Sequence, residues 1–572
     1  MSRELCLQWP MPTMDGLPLL SAAEFQTEYI DIIPKDWAAI SVALSEEQDE
    51  IYITRFEQGI TPFVLRLPLA RHFSRDLDEE EFTFADGKRE FEEIIELSDF
   101  TTRNAKDRTS RESKLQWWEE RQALDTKLRE LLLNIENIWL GGFKGIFSNH
   151  VRQPALLSRF RKSFDSILSR HLPSRQKKNS QTRASLDSRV LELFVGLGDA
   201  SDAELDLDEA LTDLVYFVVD ILQFNGEPNA YDEIDFEAVV METHNALRTY
   251  HDSARMLSSS SHTILILDKN VHMLPWESLP CLERLSVSRL PSLAALRDRL
   301  LAARAPIRTE NSFPGHYISA AAGGTSILNP SGDLRHTSKT IKPCLDAMQG
   351  SWKHIANRAP SEQEFEECLK RDQLLLYFGH GSGAQYIRSK VVRRLYVQPE
   401  DQAQTREGKP SCATTFLFGC SSVHLSENGI YEPSGMLSSY LTAGAPAVLG
   451  MLWDVTDKDC DRLAVRTGEL WGLWPEAQAE GDGGVKPPPT ARKKKGKTRV
   501  GRLAEEVETP RASSRARKDE EAGAGEVVSE NVGKRRRGLG LDEALRDARN
   551  ACLLRYLNGA AAVVYGIPVY LE

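Results

Sequence analysis

Cysteine is scarce and scattered. Only Cys6, Cys281, Cys344, Cys368, Cys412, Cys420, Cys460 and Cys552 occur in 572 residues, with no CxxC pair and no histidine and cysteine cluster at metal-ligand spacing. That pattern excludes a disulfide framework and structural zinc, and it fits free thiols in a reducing compartment. Positive charge is not in excess either. A formal net charge of -13 argues against a general nucleic-acid binder, which needs a basic face to neutralise phosphates. No apolar run reaches the ~18 residues that cross a bilayer. Residues 1–14 carry Glu4 and two prolines where a targeting segment has a cationic and then an apolar stretch. The chain is therefore read as soluble and intracellular, without membrane contact. There is no GxxxxGK[ST] phosphate loop, and no cofactor or metal is expected.

What is present divides into two halves of different rhythm. Single hydrophobic cores stop growing near ~250–300 residues, so more than one domain is expected. Strand-like runs at residues 38–44, 50–56 and 62–67 suggest a small meander. From residue 88 to about 146 the period becomes helical, with Trp117, Leu124, Leu128, Leu131, Ile135 and Trp139 on one stripe. That stripe predicts a helix packed on another helix. Residues 174–188 read as a polar loop, and 208–222 and 236–251 as helices.

In the second half, compact apolar runs at 263–267, 316–320, 374–378, 415–418, 447–453 and 562–571 alternate with amphipathic segments. This is the pattern of parallel strands joined by crossover helices, an α/β fold with its chemistry beyond the carboxyl ends of the strands. Residues 476–540 contain Pro487, Pro488 and Pro489 and almost no aromatics, and read as a disordered insertion ahead of a helix at 541–557 and a last strand. Basic clusters at 492–497 and 534–537 have the character of nuclear-import signals, so cytoplasm and nucleus are the expected compartments.

Two strands end alike. Leu374 to Phe378 runs into Gly379-His380-Gly381-Ser382-Gly383, and Thr415 to Phe418 runs into Gly419-Cys420-Ser421-Ser422. Were these strands parallel neighbours, an imidazole and a thiol would emerge at one edge, and the imidazole could take the thiol proton and later protonate a leaving amine. Glycine at 379, 381 and 419 lets a substrate backbone approach. The N–H groups of Gly381 and Cys420 are candidate oxyanion donors.

The run Tyr377 to Ile387, the run Thr414 to Ser422 and the run Gly450-Met451-Leu452-Trp453-Asp454-Val455-Thr456-Asp457-Lys458-Asp459 together resemble the signature of the separases, a family of caspase-like cysteine peptidases. The resemblance implies a caspase-like, mostly parallel sheet flanked by helices, preceded by a degenerate protease-like subdomain with a long helical insert. The expected boundaries are 1–258, with the insert at about 88–172, and 259–572. It makes His380 the general base and acid and Cys420 the nucleophile, with no aspartate required as a third member. It implies cleavage of the kleisin subunit of cohesin after arginine in an acidic-x-x-Arg context, releasing sister chromatids at anaphase, and securin as an inhibitory chaperone. It further implies that the chain corresponds to the C-terminal protease portion of longer proteins.

An arginine pocket needs a carboxylate able to accept a paired fork of N–H donors. Asp461 is the first candidate and Asp454 the second, while Asp454 or Asp457 could equally cap the following helix. Arg388 and Lys390 are candidates for contacting the acidic or phosphorylated substrate residue. Glu508-Thr509-Pro510-Arg511 matches the cleavage context and makes Arg511 a candidate site of self-cleavage. The competing readings are a catalytically inactive caspase-like scaffold that binds partner proteins, and a caspase-like peptidase of other specificity. An alkylating substrate mimic ending in arginine separates them by whether, and with what side chain, it labels Cys420.

Overall fold

The computed structural model describes residues 20–71, 82–104, 110–176, 183–202, 204–254, 261–303, 313–396, 412–476 and 538–572. Most of the expected insertion, both basic clusters, Arg511 and the 397–411 loop lie outside the described residues. Residues 1–476 together with 538–572 form one compact unit, which holds all of the described helices and strands.

Its strands, among the described residues, are β1 (Trp37–Leu44), β2 (Glu50–Phe56), β3 (Phe63–Pro68), β4 (His262–Leu267), β5 (Ser286–Leu290), β6 (His316–Ile318), β7 (Gly324–Leu328), β8 (Trp352–Ala356), β9 (Leu374–Phe378), β10 (Thr414–Phe418), β11 (Ser426–Asn428), β12 (Tyr431–Ser434), β13 (Ala447–Met451), β14 (Ala562–Gly566) and β15 (Val569–Leu571). Eleven of them make one sheet in the order β3-β2-β1-β4-β5-β14-β13-β10-β9-β7-β8. Pairing is parallel except at β1–β2, β2–β3 and β13–β14. The meander of β1 to β3 is thus an extension of the main sheet through the parallel β1–β4 pair. β9, β10 and β13 are buried along their whole length. Strands apolar on both faces are stable only with helices covering both sides, which is the α/β arrangement expected.

Three expected elements are redrawn. Residues 316–320 supply only β6, which pairs with β15 in a separate two-stranded sheet, and the main-sheet strand nearby is β7. Residues 562–571 split into β14 and β15 on either side of Pro568, which has no N–H for a ladder. The helix expected at 541–557 ends at Ala548. Beyond it, the N–H groups of Leu553 and Leu554 donate to the Asp459 carboxylate, and those of Tyr556 and Leu557 to Asp125. Donors that a continuous helix would satisfy internally are drawn to the buried Asp459 and half-buried Asp125 carboxylates instead.

The stripe runs along the helix Arg111–Asn134 and the π-helical segment Ile135–Leu140, and the helix Phe84–Arg103 packs beside it. Leu124, Leu128, Leu131, Ile135 and Trp139 are buried as the period requires, and Trp117 donates its indole N–H to the Thr101 carbonyl at 2.9 Å. Arg121, fully buried, donates to the Ser98 carbonyl, to the Thr101 and Thr102 hydroxyls and to Asn558 Oδ1. It fastens the two helices to the C-terminal segment.

Candidate active site

β9 and β10 are parallel neighbours, in a register that sets Phe378 opposite Phe418 with their rings stacked 5.3 Å apart. His380 and Cys420 each lie two residues beyond that pair, so both leave the sheet at the same edge. The close approach of the two loops requires a glycine. A Cβ on Gly419 would sit 2.3 Å from the Gly381 carbonyl oxygen, 2.4 Å from that of Gly379 and 2.9 Å from the Gly381 nitrogen. Gly381 has φ +60, the left-handed region that glycine adopts without strain. The His380 carbonyl is held by the Tyr377 hydroxyl at 2.7 Å and the Gln385 amide at 3.0 Å. Among the described residues neither the Gly381 N–H nor the Cys420 N–H has an acceptor.

Cys420 is half-buried and donates its thiol to the Val455 carbonyl at 3.3 Å. Burial pushes the thiol up to about 11 against the lowering effect of the Val455 bond, and the carboxylates of Asp454, Asp457 and Asp99 add smaller raising contributions. Ser421, next in the chain, takes φ +51. A non-glycine residue there costs about 1–2 kcal/mol, and two hydrogen bonds oppose that cost. Its N–H donates to the Trp453 carbonyl at 3.2 Å and its hydroxyl to Asp454 Oδ1 at 2.6 Å.

His380 is exposed, and its Nε2 lies 2.8 Å from Asp333 Oδ2. No hydrogen bond joins His380 to Cys420 among the described residues. A carboxylate only accepts, so Nε2 carries a proton, and in the neutral ring that leaves the lone pair on Nδ1. Sequence reasoning did not single out Asp333, because it follows β7, a short strand that was not recognised.

Asp461 lies on the helix Asp457–Trp471, 4% exposed, and its Oδ2 is 3.0 Å from His336 Nδ1. Burial raises its carboxyl above the usual range, against the lowering bonds of His336 and Thr337. Asp461 shares its helix with Asp457, one of the carboxylates that act on the Cys420 thiol. Asp454 is spent on Ser421. Neither Asp454 nor Asp457 caps the helix, whose N-cap is Thr456, with Asp457 in the first turn. Arg388 forms a paired contact with Glu362, at 2.9 and 2.6 Å, while Lys390 is exposed on the short helix Ser389–Arg393.

A largely parallel, helix-flanked sheet whose adjacent strand ends carry these two loops is a caspase-like α/β architecture. The chain belongs to the separin protease-domain family, whose model matches residues 46–460. It is 42% identical over 566 residues to the separin of Emericella nidulans, which covers 98% of this chain and 24% of that protein. It is 37% identical over 550 residues to the separin of Schizosaccharomyces pombe, covering 96% and 25% respectively. Among solved structures it is similar to the Saccharomyces cerevisiae separase in a separase–securin complex, with TM-score 0.74, 28% identity, and coverage of 96% of this chain and 31% of that one. The chain thus spans about a quarter of the length of the curated relatives it matches.

Proposed function

We propose that this chain is the catalytic portion of a separase, a cysteine endopeptidase that cuts the cohesin kleisin after arginine in an acidic-x-x-Arg context and so releases sister chromatids at anaphase. The observation that carries this is the β9–β10 register, which delivers His380 and Cys420 to one edge with the Gly419 contact between their loops. In the mechanism, His380 Nδ1 takes the Cys420 thiol proton as the sulfur attacks the scissile carbonyl carbon. The tetrahedral oxyanion is received by the Gly381 and Cys420 N–H groups. Collapse breaks the C–N bond, the imidazolium gives its proton to the leaving amine, and a thioester remains. Water, deprotonated by the same ring, then hydrolyses the thioester and returns the thiol. Asp333 acts as a positioning residue that holds the ring in the tautomer with a free Nδ1.

Because the resting thiol is raised to about 11, proton transfer to His380 accompanies the attack of the sulfur and no ion pair stands ready beforehand. Asp461 is the carboxylate for the substrate guanidinium, and Lys390 the cation open to an acidic substrate residue, since Arg388 would first have to leave Glu362. The yeast relative was solved with securin, and we extend that partnership to this chain, with securin as an inhibitory segment in the cleft. Cytoplasm and nucleus are the proposed compartments. The test is incubation of the wild type and Cys420→Ser with a kleisin fragment, followed by sequencing of the new ends. Cleavage after arginine that disappears in the variant is expected. The same products from Cys420→Ser would sink the proposal, and a wild-type Cys420 that no arginine-ended alkylator labels would favour an inactive scaffold.

A further inference from the structure

Asp461 is a nearly enclosed carboxylate whose neighbour is a removable one. Its side chain is 4% exposed, whereas that of His336 is 56% exposed, and the two meet at one carboxylate oxygen, 3.0 Å from Nδ1. The His336 backbone is anchored in the helix Arg335–Asp346, which buries Thr337, Ile341 and Leu345 and packs on the helix that carries Asp461. Only the ring is free to leave. The Thr340 hydroxyl, 3.5 Å from the same nitrogen, offers it another partner one turn along.

We propose that His336 is the resident occupant of the arginine subsite and that the guanidinium of the substrate must displace it from Asp461. This rests on the reading of Asp461 as the arginine carboxylate. The physical reason for an occupant is the burial of Asp461. A buried carboxylate short of donors loses solvation of its charge, and Asp461 without the ring would keep the Thr337 hydroxyl but lose its second donor, so the empty site needs a partner that can give way. A single imidazole N–H bonds one oxygen. An arginine presents a planar fork that bonds both and brings a full charge, so it can replace the occupant with a gain. An aliphatic side chain offers no donor and leaves His336 in place. His336 is on this account a specificity-determining residue, one that makes entry to the pocket conditional on a donor.

The test uses the whole chain and two reversible peptide aldehydes that differ only in ending in arginine or norleucine. With no occupant to displace, His336→Ala should bind the arginine aldehyde roughly two- to tenfold more tightly, the range of one hydrogen bond. The norleucine aldehyde should bind the variant and the wild type alike. His336→Asn, whose amide N–H can stand where Nδ1 stands, should return the arginine inhibition constant to within about twofold of wild type, a rescue that a merely structural role would not produce. Weaker or unchanged arginine binding in His336→Ala, or an equal change for both aldehydes, overturns the inference. Two results would remove its premise at an identifiable step. Inhibition by neither aldehyde removes the catalytic reading of Cys420, and an undiminished preference for arginine in Asp461→Asn removes the pocket assignment.

Discussion

Replacing Gly419 by alanine adds one methyl group at the point where the histidine and cysteine loops touch. That methyl would lie 2.3 Å from the Gly381 carbonyl oxygen and 2.4 Å from that of Gly379, where ordinary contact begins at 3.4 Å. Both obstacles are backbone, so no side chain can swing aside, and the strand ends must part by about 1 Å. Overpacking of this kind costs about 1–3 kcal/mol of stability. The larger effect is on chemistry, because a displacement of about 1 Å between reacting groups costs on the order of 100-fold in rate. The assay is kcat/KM on an arginine-ended fluorogenic peptide beside urea unfolding of the same samples. Gly429→Ala is the control. It has φ +62 with nothing near its Cβ, it sits in the β11–β12 turn, and it should lose about 1–2 kcal/mol of stability from strain while keeping its rate. A Gly419→Ala enzyme within about threefold of wild type would refute the claim that loop contact sets the catalytic geometry.

The raised Cys420 thiol makes the rate of alkylation by iodoacetamide follow the thiolate fraction, so it should climb about tenfold per pH unit from about pH 7 to 10; a plateau near pH 8 would mean that the thiolate forms far more readily than its burial implies. Asp461→Asn should lower kcat/KM for arginine peptides by about 30- to 1000-fold, the cost of unpairing a buried charge, and leave a norleucine peptide nearly unaffected, with steady-state kinetics as the check. Arg121→Met should keep the packing of the stem but strand the Ser98, Thr101, Thr102 and Asn558 acceptors, lowering stability by about 2–4 kcal/mol in urea titrations.

How far the sequence could be read depended on how far each segment declared its own geometry. β9 was legible, and bounded correctly at both ends, because five consecutive apolar residues followed by glycine have few alternatives, and β10 because a β-branched threonine leads three apolar residues into a glycine. β5, β7 and β8 were not, since SVSRL, GTSIL and WKHIA mix polar and small residues and are held in place by neighbouring strands. That omission had a cost at the site. Asp333 and His336 follow β7, so without the strand nothing marked its carboxyl end as a place to look for chemistry. Asp461 was legible as an acid near a reactive strand end, but its histidine partner lies 125 residues away in sequence, a contact that no local pattern can announce. Distance also explains the shortened C-terminal helix, because Asp125 and Asp459 reach it from far along the chain.

The helices Phe84–Arg103 and Arg111–Asn134 bear on the reactive loop as well as on the core. The Phe91 ring meets the Trp453 ring edge-on at 5.6 Å, and the Trp453 indole N–H donates to the Leu557 carbonyl at 2.9 Å. The Trp453 carbonyl in turn receives the N–H of Ser421, the strained residue next to the nucleophile. From the same helices, Asp125 and Arg121 hold the segment that contains Leu557 and Asn558, and Lys88 pairs with Glu427 beyond the cysteine loop. Asp99, pushed up to about 6 by burial and by Asp454, adds its field to the acids around the thiol. The left-handed turn at Ser421 is held by Asp454 and by Trp453, which Phe91 and Leu557 hold in turn, since strained backbone survives where surroundings over-determine it. Contacts thus run from these helices through Trp453 to the backbone beside Cys420, and none of them involves His380 or Asp461.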